Sequence, residues 1–147
     1  MTTTDLHRYM AEAWPAKEAF YAPDRFDVLR PGFCRYRYTV GNEDFRPGGT
    51  VSGPTMMWLA DVGTYALLLA HLGDAALAVT TSLSIDFLRR PVGPQMVADT
   101  ELVKLGRNLA VCRVKIASAS VDEAPNMDKP EAVSSVTYSL SLLSAHT

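Results

Sequence analysis

One long apolar segment, residues 54–72, constrains the fold of this 147-residue chain more than any other feature. Pro54 suits the first turn of a helix, where a missing N–H costs nothing, and Gly73 supplies a stop signal. Apolar side chains occupy every face between them, so we expect a buried helix: Met56, Met57, Leu59, Ala60, Val62, Ala66, Leu67, Leu68 and Leu69. The apolar run is interrupted by Asp61, Thr64, Tyr65 and His71, which argues against a membrane span.

The segments on either side of this helix alternate between apolar and polar residues, which indicates half-buried strands. Residues 26–40 predict a hairpin that turns at Pro31 and Gly32. Four strands follow the helix, and the second of them covers residues 96–105. The inward positions of the other three are Leu77, Val79, Thr81, Leu83, Ile85 and Phe87 in the first strand, Ala110, Cys112, Val114 and Ile116 in the third, and Val136, Tyr138, Leu140 and Leu142 in the last. We therefore predict an α+β fold, an antiparallel β-sheet wrapped around one long central helix as the only element covering it.

The beginning of the chain follows a different pattern. Residues 5–20 predict a short amphipathic helix that is interrupted by Pro15. We treat residues 1–25 as an N-terminal helical extension without an evident role, and residues 26–147 as one domain long enough to bury a core.

Composition and charge argue against several classes of protein. The formal net charge of -2 and the scattered basic residues give no sign of a partner nucleic acid or an anionic membrane. Cys34 and Cys112 are too few for a disulfide framework, and no signal-peptide pattern precedes them. The histidines His7, His71 and His146 lack the spacing of metal ligands. We therefore expect a cytoplasmic protein that uses neither a cofactor nor a metal.

Asp61 is unusual because it falls inside the helix that should be buried, and a buried carboxylate is costly unless it is paired. Its helical neighbours three and four residues away carry no positive charge. One interpretation is structural: the carboxylate lies at an exposed part of the helix or pairs with a distant Arg. The other is a catalytic carboxylate beside a glycine-rich helix N-terminus that holds an oxyanion.

The segments PGGTVSGP and LADVGT resemble the corresponding motifs of hotdog-fold acyl-CoA thioesterases, in the branch of the phenylacetate-degradation thioesterase. The resemblance is most specific over residues 47–91, and Gly49, Thr50, Val51 and Gly53 match the helix-entry motif. It implies that Asp61 is the catalytic carboxylate, as general base or nucleophile, and that the Gly53 amide stabilises an oxyanion. It also implies that a hydroxyl from Thr80 or Thr81 assists the attacking water.

Three positions depart from that family pattern. Ser52 stands where the family usually has histidine, Pro54 replaces a second glycine, and Arg46 occupies a position that is often asparagine. By the resemblance, Ser52 belongs to the catalytic set, and Arg46 and Gly49 to the substrate-binding set.

The arginine pair Arg89–Arg90 ends the strand that follows the helix. One interpretation is a solvated strand end. The alternative is a contact with a phosphate of coenzyme A, because a guanidinium fork suits phosphate oxygens.

The spacing between the two main site residues has a consequence for assembly. Gly53 and Asp61 are eight residues apart, which is about 12 Å along a helix axis, whereas a base and an oxyanion donor must both lie about 3 Å from the reacting group. One helix cannot supply both, but two antiparallel copies can. We therefore expect a homodimer with shared sites, and the family resemblance allows a dimer of dimers, a homotetramer.

The predicted function is hydrolysis of an acyl-CoA thioester to a free acid and coenzyme A. A hotdog dehydratase or hydratase would need a histidine paired with the carboxylate, and none is placed to do so. The alternative outside catalysis is an acyl-CoA-binding or regulatory hotdog protein, which the residues at Ser52 and Arg46 would favour.

Overall fold

A six-stranded antiparallel sheet folded around one long helix forms the centre of the structure, a computed structural model that describes residues 1–144. His146 and the end of the predicted domain, 145–147, lie outside the described residues. The helices are α1 (Thr3–Ala13), α2 (Gly53–Leu72) and α3 (Ser141–Ser144). The strands are β1 (Phe26–Arg30), β2 (Phe33–Thr39), β3 (Phe45–Arg46), β4 (Thr50–Val51), β5 (Val79–Phe87), β6 (Gln95–Leu105), β7 (Leu109–Ala119) and β8 (Ala132–Ser139).

The large sheet has the order β1-β2-β6-β7-β8-β5, with every neighbouring pair antiparallel, and β3 and β4 form a separate small hairpin. This arrangement confirms the predicted α+β fold. The inward positions of β7 are buried as the alternation requires, from Ala110 to Ile116. Because the order ends in β5, one long edge of this strand has no neighbouring strand among residues 1–144.

Helix α2 begins and ends where the sequence predicts, because local signals close both of its ends. The Ser52 hydroxyl caps the N-terminus by accepting a hydrogen bond from the Thr55 amide, and Gly73 ends the helix with a left-handed φ of +77°. The helix is long and apolar enough to cross a membrane by length and composition, but 67% of that stretch is buried against the rest of the protein. Its hydrophobicity therefore serves the core.

A glycine lets α2 approach the sheet closely. A Cβ at Gly63 would lie 2.5 Å from the Thr100 hydroxyl oxygen on β6, a distance that real Cβ atoms do not show. The Gly63 carbonyl also accepts a hydrogen bond from the Cys34 thiol on β2. The middle of α2 is thus held directly against the central strands.

The N-terminal extension is part of the packing. Helix α1 buries Leu6 and Met10 completely, in the same core that α2 and the sheet share. A capping box between Thr2 and Asp5 fixes its first turn. Besides the residues of α2 and the sheet, the core therefore includes two residues spaced four apart on α1.

Two strands differ from their predicted form. In β5, Leu83 and Ile85 are only partly buried, and Val79 and Phe87 are exposed by about half. The reason is its position at the edge of the sheet. Strand β8 stops at Ser139, because the chain then turns into α3, and Leu142, predicted as an inward strand residue, is 47% exposed.

Candidate active site

The Asp61 carboxylate is held by two hydroxyl groups that donate to the same oxygen. Thr80 Oγ1 lies 2.6 Å from Asp61 Oδ1, and the Tyr138 hydroxyl lies 2.7 Å from it. Within residues 1–144, no side chain donates to Oδ2 and no Lys, Arg or His forms an ion pair with this carboxylate. Asp61 is half-buried. The arrangement fixes the orientation of the carboxylate and leaves one oxygen available.

A β-bulge explains why Thr80 reaches Asp61. The pairing of β5 with β8 shifts register between Thr80 and Ser82, so that Thr80 lies directly across from Tyr138. Cross-strand partners share a face of the sheet, which directs both hydroxyls toward α2. The residue at the bulge, Thr81, donates instead to the carbonyl oxygen of Thr137 at 3.3 Å. Of the two threonines singled out from the sequence, only Thr80 contacts Asp61.

Tyr138 is a donor whose protonation is secure. Burial and the neighbouring Asp61 carboxylate raise the pKa of this phenol above its ordinary value. Its ring stacks on that of Tyr65, with centroids 6.0 Å apart. The hydroxyl therefore stays protonated at neutral pH, and its ring is fixed, so that it donates to Asp61 continuously.

Asp61 opens into a cavity of about 510 Å³. Most of the lining is aromatic or aliphatic, and Lys17, Asp61, Thr80 and the tyrosine hydroxyls supply the polar part. The size lies in the range of small-molecule sites, about 300–1,000 Å³. The cavity therefore offers mostly apolar space beside a carboxylate.

The N-terminus of α2 forms a second and separate site. The Gly53 amide has no acceptor among residues 1–144, as expected for the first N–H groups of a helix. A Cβ at Gly53 would lie 3.2 Å from the Phe87 ring, so the absence of a side chain lets this ring pack on the helix start. Gly53 and Phe87 both line a cavity of about 380 Å³.

Three arginines line the cavity at the start of α2: Arg46 on β3, and Arg89 and Arg90 after β5. All three are exposed, and none pairs with a carboxylate within the described residues. Arg89 donates to the Pro130 carbonyl oxygen at 3.1 Å. Together with the helix N-terminus they make this cavity positively charged.

Ser52 and Gly49, the two remaining residues singled out from the sequence, take part in the backbone structure around this cavity. The Ser52 hydroxyl lies 3.0 Å from that of Thr55, in addition to its capping bond with the Thr55 amide. Gly49 adopts a φ of +78° in the turn between β3 and β4, which favours glycine, and it does not line the cavity. Neither residue is among those that line the two cavities.

The loop before α2 is fixed by Asp44, a residue that sequence reasoning missed. Its carboxylate accepts hydrogen bonds from the Tyr38 hydroxyl (2.6 Å), the Gly41 amide (2.8 Å) and the Thr55 hydroxyl (2.9 Å). Burial alone would raise the pKa of Asp44, but these three donors outweigh it and hold the pKa below its ordinary value. The charged carboxylate therefore ties β2, the loop and the first turn of α2 together.

The carboxylate and the Gly53 amide occupy different cavities that share no lining residue. Strand β5 connects them, with Thr80 at one cavity and Phe87 at the other. Seven residues of strand separate these positions by roughly 23 Å. The two predicted site residues are therefore not brought together within one protomer.

Sequence reasoning also missed Tyr138 as a partner of Asp61 and the aromatic residues of the N-terminal extension that line its cavity. A signal for Tyr138 was present, because a tyrosine on the inward face of a strand needs a partner for its hydroxyl. For the extension no such signal existed, since its position in space depends on the fold.

Comparison with known proteins identifies the family. The profile of the thioesterase superfamily matches residues 48–124, more than half of the chain. A solved structure from Silicibacter sp. TM1040, which carries a provisional thioesterase assignment, is 42% identical, with 91% of this chain and 88% of that chain covered and a TM-score of 0.73. Curated protein sequences give no match.

Two more distant solved structures share the fold. One is a variant of the phenylacetic acid degradation protein PaaI from Thermus thermophilus, at 22% identity, with 85% of this chain and 97% of that chain covered and a TM-score of 0.64. The other is zebrafish thioesterase superfamily member 2, at 20% identity, with 95% and 99% covered and a TM-score of 0.70.

The sheet wound around a central helix, with a carboxylate on that helix facing a cavity, is that of a hotdog-fold protein. Because the family profile and the 42% identical relative both cover most of the chain, this chain belongs to the thioesterase superfamily. The resemblance seen in the sequence is thereby confirmed.

Proposed function

We propose that this protein hydrolyses acyl-CoA thioesters, with Asp61 as the general base. The observation that carries the proposal is the free Oδ2 of a carboxylate whose other oxygen is held by Thr80 and Tyr138, at the wall of an apolar cavity. A fixed base with one available oxygen is suited to holding a water molecule for attack.

The reaction follows from this arrangement. Asp61 Oδ2 takes a proton from water as the water oxygen bonds to the thioester carbon, and the carbonyl oxygen becomes an oxyanion. The Gly53 amide at the helix N-terminus donates to that oxyanion, an interaction that gains strength as charge develops. The C–S bond then breaks, and the proton held by Asp61 passes to the thiolate sulfur, which releases coenzyme A and the free acid.

The Gly53 donor comes from a second copy of the chain in this proposal. Strand β5 is an edge strand with unpaired backbone groups and exposed apolar residues, which favours pairing with another strand. Antiparallel pairing of two β5 strands about their common centre sets Val79 of one protomer opposite Phe87 of its partner. The Asp61 cavity of each protomer then lies beside the Gly53 cavity of the other, and a two-fold dimer has two equivalent sites.

The arginine-lined cavity supplies the site for the coenzyme A moiety. Arg46, Arg89 and Arg90 have no carboxylate partners within the described residues, and guanidinium groups bind phosphate oxygens in a bidentate geometry. The coenzyme A moiety would thus extend from the Gly53 amide, which donates to the thioester oxygen, toward these three arginines.

A second function, acyl-CoA binding without turnover, is favoured by one observation. Ser52 replaces the histidine of the family motif, and its hydroxyl is engaged with Thr55 in capping the helix. A panel of acyl-CoA esters, assayed for release of free thiol by the pure protein, separates the two functions. Hydrolysis of at least one ester above the rate in buffer supports the thioesterase, whereas tight binding of the same esters without thiol release would favour the binding protein.

A further inference from the structure

The segment 14–21, which follows α1, is held on α2 by aromatic pairs. The Phe20 ring meets the Trp58 ring edge to face, with centroids 5.1 Å apart. Trp14 and Tyr21 each meet Tyr65 in the same manner, at 6.3 and 6.1 Å. These contacts attach a segment that lies outside the residues matched by the family profile, 48–124. The segment is therefore a fixed part of the structure in this chain.

The same three side chains line the cavity of the Asp61 carboxylate. Trp14, Phe20 and Tyr21, which we call the aromatic wall, line the cavity into which Asp61 opens. Tyr21 is almost completely buried, Phe20 is partly buried, and Trp14 is 46% exposed at the cavity rim. The space between the aromatic wall and Asp61 is the space that a substrate group would occupy.

The chemistry of the two cavities separates the parts of the substrate. Coenzyme A is polar and anionic, and the arginine-lined cavity at the start of α2 complements it. The Asp61 cavity is mostly apolar, and the only charged side chains that the described residues place at its wall are Asp61 and Lys17. An acyl carbonyl placed against Asp61 directs the rest of the acyl group toward the aromatic wall, because the other direction leads to the thioester sulfur.

We propose that the aromatic wall determines the length of the acyl group that the protein accepts, an inference that rests on the proposed function for the position of the thioester. Apolar acyl groups gain affinity with each methylene that is buried, by about fourfold per methylene. The gain in affinity ends at the length at which the acyl chain reaches Phe20 and Trp14. Replacing either ring with a smaller side chain opens the aromatic wall, so that longer acyl chains continue to gain affinity.

The test uses S-alkyl-CoA thioethers, graded from acetyl-sized to palmitoyl-sized chains, with binding measured by calorimetry. These compounds have no carbonyl to hydrolyse, so the result does not depend on turnover. The variants are Phe20→Ala and Trp14→Ala. The control is Tyr9→Phe, because Tyr9 on α1 donates to Asp74 at 2.8 Å and does not line the cavity.

We expect the wild-type affinity to rise with chain length, by about fourfold per methylene, and then to stop rising. In both wall variants the rise should continue to longer chains, while Tyr9→Phe should keep the wild-type limit. An unchanged limit in both wall variants, with melting temperatures near that of the wild type, would overturn the proposal. If Phe20→Ala melts early, Phe20→Leu takes its place, since it keeps an apolar contact with Trp58.

The outcome is distinguishable from failure of the proposed function. If no ester releases thiol but the wall variants bind longer chains than the wild type does, the aromatic wall limits chain length and the protein lacks the hydrolytic activity. If esters are hydrolysed with the same chain-length preference in the wild type and both wall variants, the protein has the activity and the aromatic wall does not set the limit.

Discussion

The Tyr138 hydroxyl donates a hydrogen bond of 2.7 Å to Asp61 Oδ1, across the space between β8 and α2. The bond orients the carboxylate and leaves Oδ2 without a side-chain donor among residues 1–144. In the proposed reaction Tyr138 therefore acts through Asp61, as a positioning residue.

Tyr138→Phe should lower kcat and leave KM nearly unchanged, because the carboxylate loses one of the two donors that orient it. A hydrogen bond to a charged group is worth about 1.5–3 kcal/mol, so the loss of transition-state stabilisation should not exceed about a hundredfold in rate. Tyr65→Phe is the matched control, since its hydroxyl donates to the Ala76 carbonyl oxygen in the same cavity. A kcat in Tyr138→Phe equal to that of Tyr65→Phe would contradict the positioning role.

The proposed phosphate contacts predict a salt-sensitive effect on KM. Arg90→Ala should raise KM for the CoA ester by about two- to fivefold at low ionic strength, the size expected for an exposed ion pair between an arginine and a phosphate. This increase in KM should become smaller at high salt, because salt screens the attraction between the two charges. Arg107→Ala, which removes an exposed arginine from the turn between β6 and β7, should leave KM unchanged. Equal KM values for wild type, Arg90→Ala and Arg89→Ala at low salt would exclude these arginines from phosphate binding.

Asp44 gives a prediction for stability against pH. Its pKa is held below the ordinary value in the folded state, so its ionised form stabilises the fold at pH above the unfolded value of about 3.9, and this contribution is lost as the pH falls. Asp44→Asn should lower the free energy of unfolding by about 1–3 kcal/mol near neutral pH.

The difference in free energy of unfolding between wild type and Asp44→Asn, measured by urea denaturation, should become smaller as the pH falls below about 4. Glu43→Gln serves as the control, because Glu43 is the exposed neighbour of Asp44. A difference in free energy of unfolding that stays constant across this pH range would mean that the charge on Asp44 does not contribute to stability.

Much of the fold followed from the sequence because its signals are local. The apolar run with Pro54 near its start and Gly73 at its end defined α2, and the period-two alternation defined the strands. The burial of β5 could not be predicted in the same way, since Val79 and Phe87 carry the pattern of buried residues but lie at an edge of the sheet. The burial of β5 depends on its position in the sheet order, which the pattern does not give.

The candidate site depends on contacts between distant segments, which the local sequence pattern does not reveal. The sequence offered Thr80 and Thr81 as equal candidates, and strict alternation with Leu83 and Ile85 would have placed Thr81 inward. A one-residue bulge reverses the choice, because it sets Thr80 opposite Tyr138. A bulge depends on the pairing of β5 with β8, strands that more than 40 residues separate in the sequence. The same holds for the aromatic wall, whose position depends on packing against α2.

Asp61→Asn tests whether the carboxylate acts as a base. The amide keeps an oxygen that can accept from Thr80 and Tyr138 but loses basicity, so kcat should fall by ~10²–10⁴-fold while substrate still binds. The melting temperature should hold or rise, because no ion pair is broken within the described residues and a neutral amide costs less to bury. Early melting together with normal turnover per folded molecule would end the catalytic assignment of Asp61.

A mixture of two inactive variants tests whether the site is shared between protomers. Gly53→Pro removes the amide donor yet suits the first position of a helix, and Ser52 before it is already extended. Gly53→Ala is its control, because it keeps the N–H and adds a Cβ against the Phe87 ring. Gly53→Pro should lose most of its activity, and Gly53→Ala should lose less.

Co-refolding equal amounts of Gly53→Pro and Asp61→Asn should then restore activity. A hybrid dimer has one site made of an intact Asp61 from one protomer and an intact Gly53 from its partner, and one site that lacks both. Half of the dimers are hybrids if subunits associate at random, so the mixture should regain about a quarter of the wild-type activity. A site contained in one protomer predicts no gain over the two variants measured alone, and a mixture that stays inactive although hybrid dimers form would refute the shared site.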